Sequence, residues 1–403
     1  MIRFITLLTV TLLLTISCSG DPVADPAQVT TFAPTATVVQ FTPTSTPEVI
    51  VKQVPVKSIG VVADTPTPTQ VPTQTPVPSA TPSVLPTPTS VQMPTSTSLQ
   101  IPTPTQVPAI VGTVKFLVDV EQVATASQLE LSSIGGPSLI RLKDDRYRLY
   151  LHSRTHERKL NIISLISTDG SQWDVEPGVR IPHGSDSDID SEVGEPAAYL
   201  GLDDKYYMAY TGRFMGINPE GKDEKMHRVV FAISDDALTW SKLNQHYADP
   251  QNRNNFASSS DVNIIDSEYV IYYTGGAFVI RATSHDGLTW ERQNIIFWGH
   301  DSTTIKYDDT WYMFARMPKQ LRYSKNWTLA DERLVMAISQ DGVNWSNNYY
   351  QVDIENSDGS GVAVEDSKNP AAVLLPDGSL RIFLQTRHGE RIYSIKPAET
   401  LPK

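Results

Sequence analysis

A seven-residue phrase recurs four times in this chain: Ser, any residue, Asp, two small or apolar residues, a variable residue, Trp. The copies run from Ser167 to Trp173, Ser234 to Trp240, Ser284 to Trp290 and Ser339 to Trp345. Self-similarity at intervals of 50 to 67 residues implies a solenoid, a propeller or another array of stacked units, each too small to bury its own apolar face. Ser and Asp side chains hold turns by bonding nearby backbone N–H groups, and Trp buries a large apolar area. The phrase therefore reads as a structural joint on the outer side of each unit, not as a site.

Five apolar hairpins accompany the phrase. They start at Pro137, Pro196, Asp261, Ser302 and Pro370 and turn at Asp144-Asp145, Asp203-Asp204, Asp266-Ser267, Asp308-Asp309 and Pro376-Asp377-Gly378. The strands are rich in β-branched and aromatic residues, and the turns carry tight-turn chemistry. A third strand precedes each Asp-Trp turn, as in Val229–Ile233, and a fourth follows it. Four strands per unit describe a propeller blade. The fold class is thus all-β, a five-bladed propeller. The unit beginning at Pro370 is short, and the segment Val114–Val123 is expected to supply its missing strand and close the ring, removing the open sheet edges.

The rest of the chain is a different material. Arg3 and the short apolar run Phe4–Ile16 read as an export leader, residues 1–17, too short to span a bilayer. The run ends at Ser17-Cys18, and Cys18 is the only cysteine. Its position resembles a bacterial lipoprotein box, although Thr15 stands where Leu is usual. Lipid attachment at Cys18 is the expectation; an ordinary leader cut elsewhere is the alternative. Residues 18–108 form a Thr/Pro-rich tether: residues 22–108 hold 18 of the 29 prolines and no Trp or Tyr. Such a composition has too little apolar surface to offset the entropy of ordering.

The domain is then 109–403, outside the membrane on a lipid anchor and exposed to the exterior or the periplasm. It carries nearly all of the net charge of −12 and has no Lys/Arg-dense run, which argues against nucleic acid. It is expected to act as a monomer.

The hairpins and the Ser-x-Asp-Gly-x-x-Trp turns resemble the five-bladed propeller glycoside hydrolases, the group that includes families 43, 32, 62, 68 and 130, over residues 114 to about 396. The sialidase turn, Ser-x-Asp-x-Gly-x-x-Trp, is one residue longer. The resemblance implies an oligo- or polysaccharide in the axial funnel and acids at the starts of the innermost strands. Hydrolysis needs a general acid and a base or nucleophile. The chain departs from the family pattern at Gly135-Gly136-Pro137, where Asp usually precedes Pro, and at Asn369-Pro370. Glu195, Asp261 and Asp301 are the candidate catalytic acids: Glu195 as acid, Asp301 as base or nucleophile, Asp261 as a tuning or sugar-orienting group. Acids also bind sugar hydroxyls, so a glycan-binding site without catalysis, or an interaction module of the same fold, stands as the alternative.

Four hairpins end on arginine, at Arg154, Arg213, Arg316 and Arg387. A hairpin returns to the face on which it began, so these belong to the funnel mouth. Arginine forks bind carboxylate or sulfate, which suggests an acidic or sulfated glycan; pairing with the inner acids is the competing reading. His300 and Asn369 join the candidate sugar contacts. Asp186, Asp188 and Asp190, with Glu192, alternate along one loop and are weak candidates for Ca²⁺. The loop lacks the Gly and distal Glu of a full EF-hand, and a solvated acidic loop is the competing reading. No cofactor is required, and the histidines show no zinc spacing.

Overall fold

The structure is a computed structural model, which describes residues 108–318, 332–360 and 367–403. The leader, Cys18 and nearly all of the tether lie outside the described residues. No helix among the described residues is long and apolar enough to cross a membrane.

The described chain is almost wholly strand. β1 (Ala109–Thr125) comes first. Sheet one is β2 (Ser133–Arg141), β3 (Tyr147–Arg154), β4 (Leu160–Ser167) and β5 (Asp174–Ile181) in that order. Sheet two is β6 (Glu192–Leu200), β7 (Tyr206–Ile217), β8 (Asp223–Ser234) and β9 (Ser241–Tyr247). Sheet three is β10 (Ser258–Ile265), β11 (Glu268–Gly275), β12 (Phe278–Ser284) and β13 (Glu291–Trp298). Then follow β14 (His300–Tyr307), β15 (Thr310–Pro318), β16 (Glu332–Ser339), β17 (Asn348–Glu355), β18 (Ser367–Leu374), β19 (Leu380–Thr386) and β20 (Arg391–Pro397). These last seven strands and β1 make one eight-stranded sheet, ordered β14-β15-β16-β17-β1-β20-β19-β18.

That sheet consists of two four-stranded meanders sharing a seam. β1 completes the last one by pairing antiparallel with β20, Phe116 opposite Pro397 and Thr125 opposite Arg391. This is the closing strand expected from Val114–Val123. It also pairs parallel with β17, Val114 opposite Val352, a bond between neighbouring units that nothing local in the sequence announces.

The hairpins form because the turn residues can take the backbone they need. Asp266 and Ser267 both have positive φ, as do Asp308 and Asp309, the signature of the turn that matches strand twist. Alternate strand residues then bury. Each of the five apolar clusters joins two consecutive four-stranded units. Tyr150 and Ile162 of sheet one meet Met208 and Tyr210 of sheet two; Phe231 meets Ile271 and Tyr273; Tyr272 meets Met313 and Val335; Phe314 and Met336 meet Ile382 and Leu384. The last cluster returns to the start, with Phe383 and Val373 against Leu149 and Leu151. The first strands neighbour one another in the same cyclic order, β2, β6, β10, β14, β18 and back to β2.

The Asp-Trp turns are four copies of one hydrogen-bonded device. Asp169 Oδ1 accepts from the N–H groups of Ser171 (2.8 Å) and Gln172 (3.0 Å). Asp236, Asp286 and Asp341 repeat this with Leu238 and Thr239, Leu288 and Thr289, and Val343 and Asn344, all at 2.7–2.8 Å. The Trp of each turn does more than cover an outer surface: it reaches back to the preceding sheet. Trp240 sits edge-on to Tyr150, Trp345 to Tyr272 and Trp173 to Phe383, while Trp290 stacks on Phe231. Tyr150 and Tyr272 also donate their hydroxyls to the carbonyls of Ala237 and Gly342 in the next turn. Ala237 has φ +57° where the other copies have Gly, a left-handed conformation costly for a residue with a Cβ.

Candidate active site

One backbone irregularity occurs at the start of every four-stranded unit. The pairing of first and second strands skips between Gly135 and Ser138, Gly194 and Ala197, Ser258 and Asp261, His300 and Thr303, and Lys368 and Ala371. Each skip contains one residue of positive φ: Gly136, Glu195, Ser259, Asp301 and Asn369, at +38° to +53°. Such bulges turn a side chain away from the sheet face it would otherwise occupy. These five residues line one pocket, together with Pro137, Pro196, Ser260, Ser302 and Pro370.

The structure therefore brings Glu195, Asp301 and Asn369 together, and it places Asp261 elsewhere. The residue of sheet three equivalent to Glu195 is Ser259; Asp261 lies two positions further along the strand. Its carboxylate accepts from the Thr304 N–H (2.8 Å), the Thr304 hydroxyl and the Asn263 amide (3.1 Å). It lines a second recess with Ser138, Thr303 and Ala371. Burial pushes its pKa up to about 6, against those hydrogen bonds. The sequence hid this register because no Pro follows the bulge in Ser258-Ser259-Ser260.

Gly136 explains the missing acid. A Cβ there would stand 2.8 Å from His152 Nδ1 and 3.1 Å from the Glu195 Cα, so no side chain fits without displacing backbone. Its N–H donates to Gln385 Oε1 at 2.6 Å.

The two acids are held in different ways. Burial, the largest influence, would raise the pKa of Glu195, but its ion pair with Arg213, together with His152 and His227, outweighs burial and the smaller upward push from Asp301 and keeps the carboxyl below the usual range. Glu195 Oε2 is buried and has no hydrogen-bond partner among the described residues. Asp301 sits at about 2: burial opposes ionisation, but His300 and the Ser259 hydroxyl overcome it. His300 is wedged between carboxylates, Nδ1 to Asp301 at 3.1 Å and Nε2 to Glu332 at 2.8 Å. Although burial works against its charge, these partners raise it to about 10. Arg316 pairs with the other oxygen of Glu332. Both pocket carboxylates are thus ionised at neutral pH. For Glu195 that is the form of a base or a hydroxyl acceptor, whereas sequence reasoning expected a proton donor.

The arginines divide. Arg213 and Arg316 pair with acids of the site. Arg154, at the end of β3, makes no ion pair or side-chain hydrogen bond among the described residues. Arg387 follows β19 and interacts electrostatically with Lys368. Lys368, beside the Asn369 bulge, escaped sequence reasoning, as did His152 and His227. Burial holds both histidines near 4 and hence neutral; His227 stacks on Phe256 with ring centres 4.8 Å apart. The facing of these residues depends on the bulge, and no local pattern marks it.

The acidic loop does not converge. Asp190 is buried and binds the Tyr210 hydroxyl (2.9 Å) and Lys242 (2.6 Å). Asp188 accepts from the Ser185 N–H, and Asp186 is exposed, 3.8 Å from Lys159. Glu192 pairs with Lys225. Among the described residues no group of three or more His, Cys, Asp or Glu side chains is placed to hold a metal ion.

No protein-family model matches the chain, and no curated protein matches it. Solved structures do. One comes from work stating that the GH130 family of mannoside phosphorylases contains glycoside hydrolases that target β-1,2 mannosidic linkages in Candida mannan. It is 14% identical with a TM-score of 0.54, over 73% of this chain and 99% of that one. A glycosyl hydrolase from Bacteroides ovatus is 13% identical with a TM-score of 0.52, over 74% and 99%. Zg3597, a family 117 glycoside hydrolase of the marine bacterium Zobellia galactanivorans, is 15% identical with a TM-score of 0.51, over 72% and 93%. The fold is that of the β-propeller glycoside hydrolases. At these identities the likeness is one of fold, and the chemistry has to be argued from this chain's own side chains.

Proposed function

We propose that this chain is a five-bladed propeller that hydrolyses a glycosidic bond in its axial pocket, tethered to the cell surface through Cys18 and acting as a monomer without a cofactor. The observation that carries the reading is the pair Glu195 and Asp301. They occupy equivalent bulges, both residues line one pocket, and Glu195 Oε2 is buried without a hydrogen-bond partner among the described residues. Acid and base roles follow from environments that push two carboxyl groups apart. Asp301, locked ionised by His300, is the base or nucleophile. Glu195 is held low overall, but the like charge of Asp301 pushes it upward. A sugar that excludes water and draws Arg213 away would reverse the balance and raise it, giving the acid that protonates the leaving oxygen.

Binding without cleavage is a second reading, favoured by one observation: in the ligand-free pocket both carboxylates are ionised, so neither carboxyl group is ready to donate a proton. The test is release of sugar or chromophore from arabinosides, xylosides, fructosides, galactosides and mannosides by the full chain, with Glu195→Gln and Asp301→Asn alongside. Release that both variants lose supports hydrolysis. Saturable binding with no release from any substrate replaces hydrolysis with recognition.

A further inference from the structure

The five bulges divide the mouth by charge. The acids stand on sheet two and on the unit that begins with β14, at Glu195 and Asp301. The unit of β18 and sheet one offer neutral bulge residues, Asn369 and Gly136, and Gly136 has no room for a side chain. Cations flank this acid-free sector. Arg154 lies on β3, two residues from His152, whose ring packs against Gly136. Lys368 precedes Asn369 and is opposite Gln385, the residue that binds the Gly136 N–H. Among the described residues neither Arg154 nor Lys368 makes an ion pair or side-chain hydrogen bond. The nearby carboxylates are already engaged: Glu195 by Arg213, Glu192 by Lys225, Asp301 by His300, and Glu332 by His300 and Arg316. The pKa of Lys368 is lowered by burial first and then by Arg316, with a smaller push from Arg387, against the opposing charges of Asp301 and Glu332, which His300 and Arg316 already engage. This cationic sector belongs to a chain of net charge −12, in which Lys and Arg generally meet carboxylates.

We propose that the sector beside Gly136 holds an anionic substituent of the glycan, a uronate carboxylate or a sulfate ester, between Arg154 and Lys368. The proposal rests on the glycan reading above and names its substrate class. The Arg fork supplies paired donors, and Lys368 supplies a partly desolvated charge. A neutral sugar leaves both cations unpaired, so the site discriminates by what it fails to satisfy as well as by what it binds.

The test is calorimetric titration of the full chain with a galacturonate trisaccharide and its carboxyl-reduced counterpart, and with a sulfated galactan oligosaccharide and its desulfated counterpart. At least one charged member is expected to bind about 30-fold or more tightly than its neutral counterpart, a preference that falls as salt rises. Arg154→Gln and Lys368→Met are each expected to remove most of that preference with less than about threefold change for the neutral sugars, while Arg154→Lys keeps part of it. Thermal melts check that the variants fold. Equal affinity within both pairs overturns the proposal. So does saturable binding of inorganic phosphate that Arg154→Gln abolishes while neither pair shows a preference, since the anion is then free and not part of the sugar. Preference without turnover supports this inference and removes hydrolysis; turnover of neutral glycosides without preference keeps hydrolysis and removes this inference.

Discussion

The two ends of each repeating unit repeat by different rules. At the turn between third and fourth strands the side chains recur: Ser, Asp and Trp return four times, with the same pair of N–H groups on the same Asp oxygen. At the start of the first strand it is the backbone that recurs. Five bulges share one positive-φ conformation and carry Gly, Glu, Ser, Asp and Asn. In the outer turn the side chain serves the backbone, so identity is what must be kept. In the inner bulge the backbone serves the side chain, so a fixed scaffold presents five different groups to one pocket. Uniform side chains thus mark structure here, and divergence on a uniform backbone marks the site.

The comparison breaks first at turnover. Glu195→Gln is expected to lower hydrolysis by about 10²–10⁴-fold, the range of a lost acid–base group, as measured by initial rates on the best glycoside. Trp240→Ala should do the reverse: a loss of about 2–4 kcal/mol in denaturant unfolding, since a large side chain leaves the seam with Tyr150, with unchanged turnover per folded molecule.

Asp261 sharpens the line between a site acid and a buried one. Its folded pKa of about 6 exceeds the ordinary Asp value, so stability is greatest while it is protonated and falls as pH rises from about 4 to about 6. Asp261→Asn should therefore stabilise by about 2 kcal/mol at pH 7 and change nothing at pH 4, seen as a melting-temperature gain confined to the higher pH. His300 has the opposite chemistry. Its folded pKa of about 10 lies above the unfolded value near 6.5, so its contribution is complete below about pH 6.5 and lost as pH rises through about 10. A melting curve that declines across that window should flatten in His300→Gln. The smallest effect belongs to one outer turn. Asp236, held at about 2 mainly by N–H donors that outweigh burial, gives stability present above about pH 4 and lost toward pH 2. Asp236→Ala should cost about 1 kcal/mol at neutral pH and remove that acid dependence.

What the chain discloses before folding follows the same division. The outer turns are legible because their side chains are the device, and the hairpins because Asp-rich turns and alternating apolar residues are local signals. Glu195 and Asn369 are legible because Pro196 and Pro370 mark the bulge. Asp261 misleads: Ser260 carries no such mark, and a slip across a bulge moves a carboxylate from the mouth to the recess below it. Lys368, His152 and Glu332 are illegible, since their roles depend on which way a strand faces after the bulge and on partners in other sheets. The parallel pairing of β1 with β17 joins distant segments and has no local trace.

That strand sets a timetable. β1 is the first part of the domain to be synthesised, and its partners β17 and β20 are among the last, with β20 ending at Pro397. At ordinary rates of translation the first strand waits on the order of tens of seconds for its neighbours to exist. Its apolar residues Val114, Phe116 and Val118, all buried in the finished molecule, have no native seat during that interval. A product cut short before Arg391 is therefore not a smaller ring: it is an open one, with its oldest strand still waiting for its antiparallel partner.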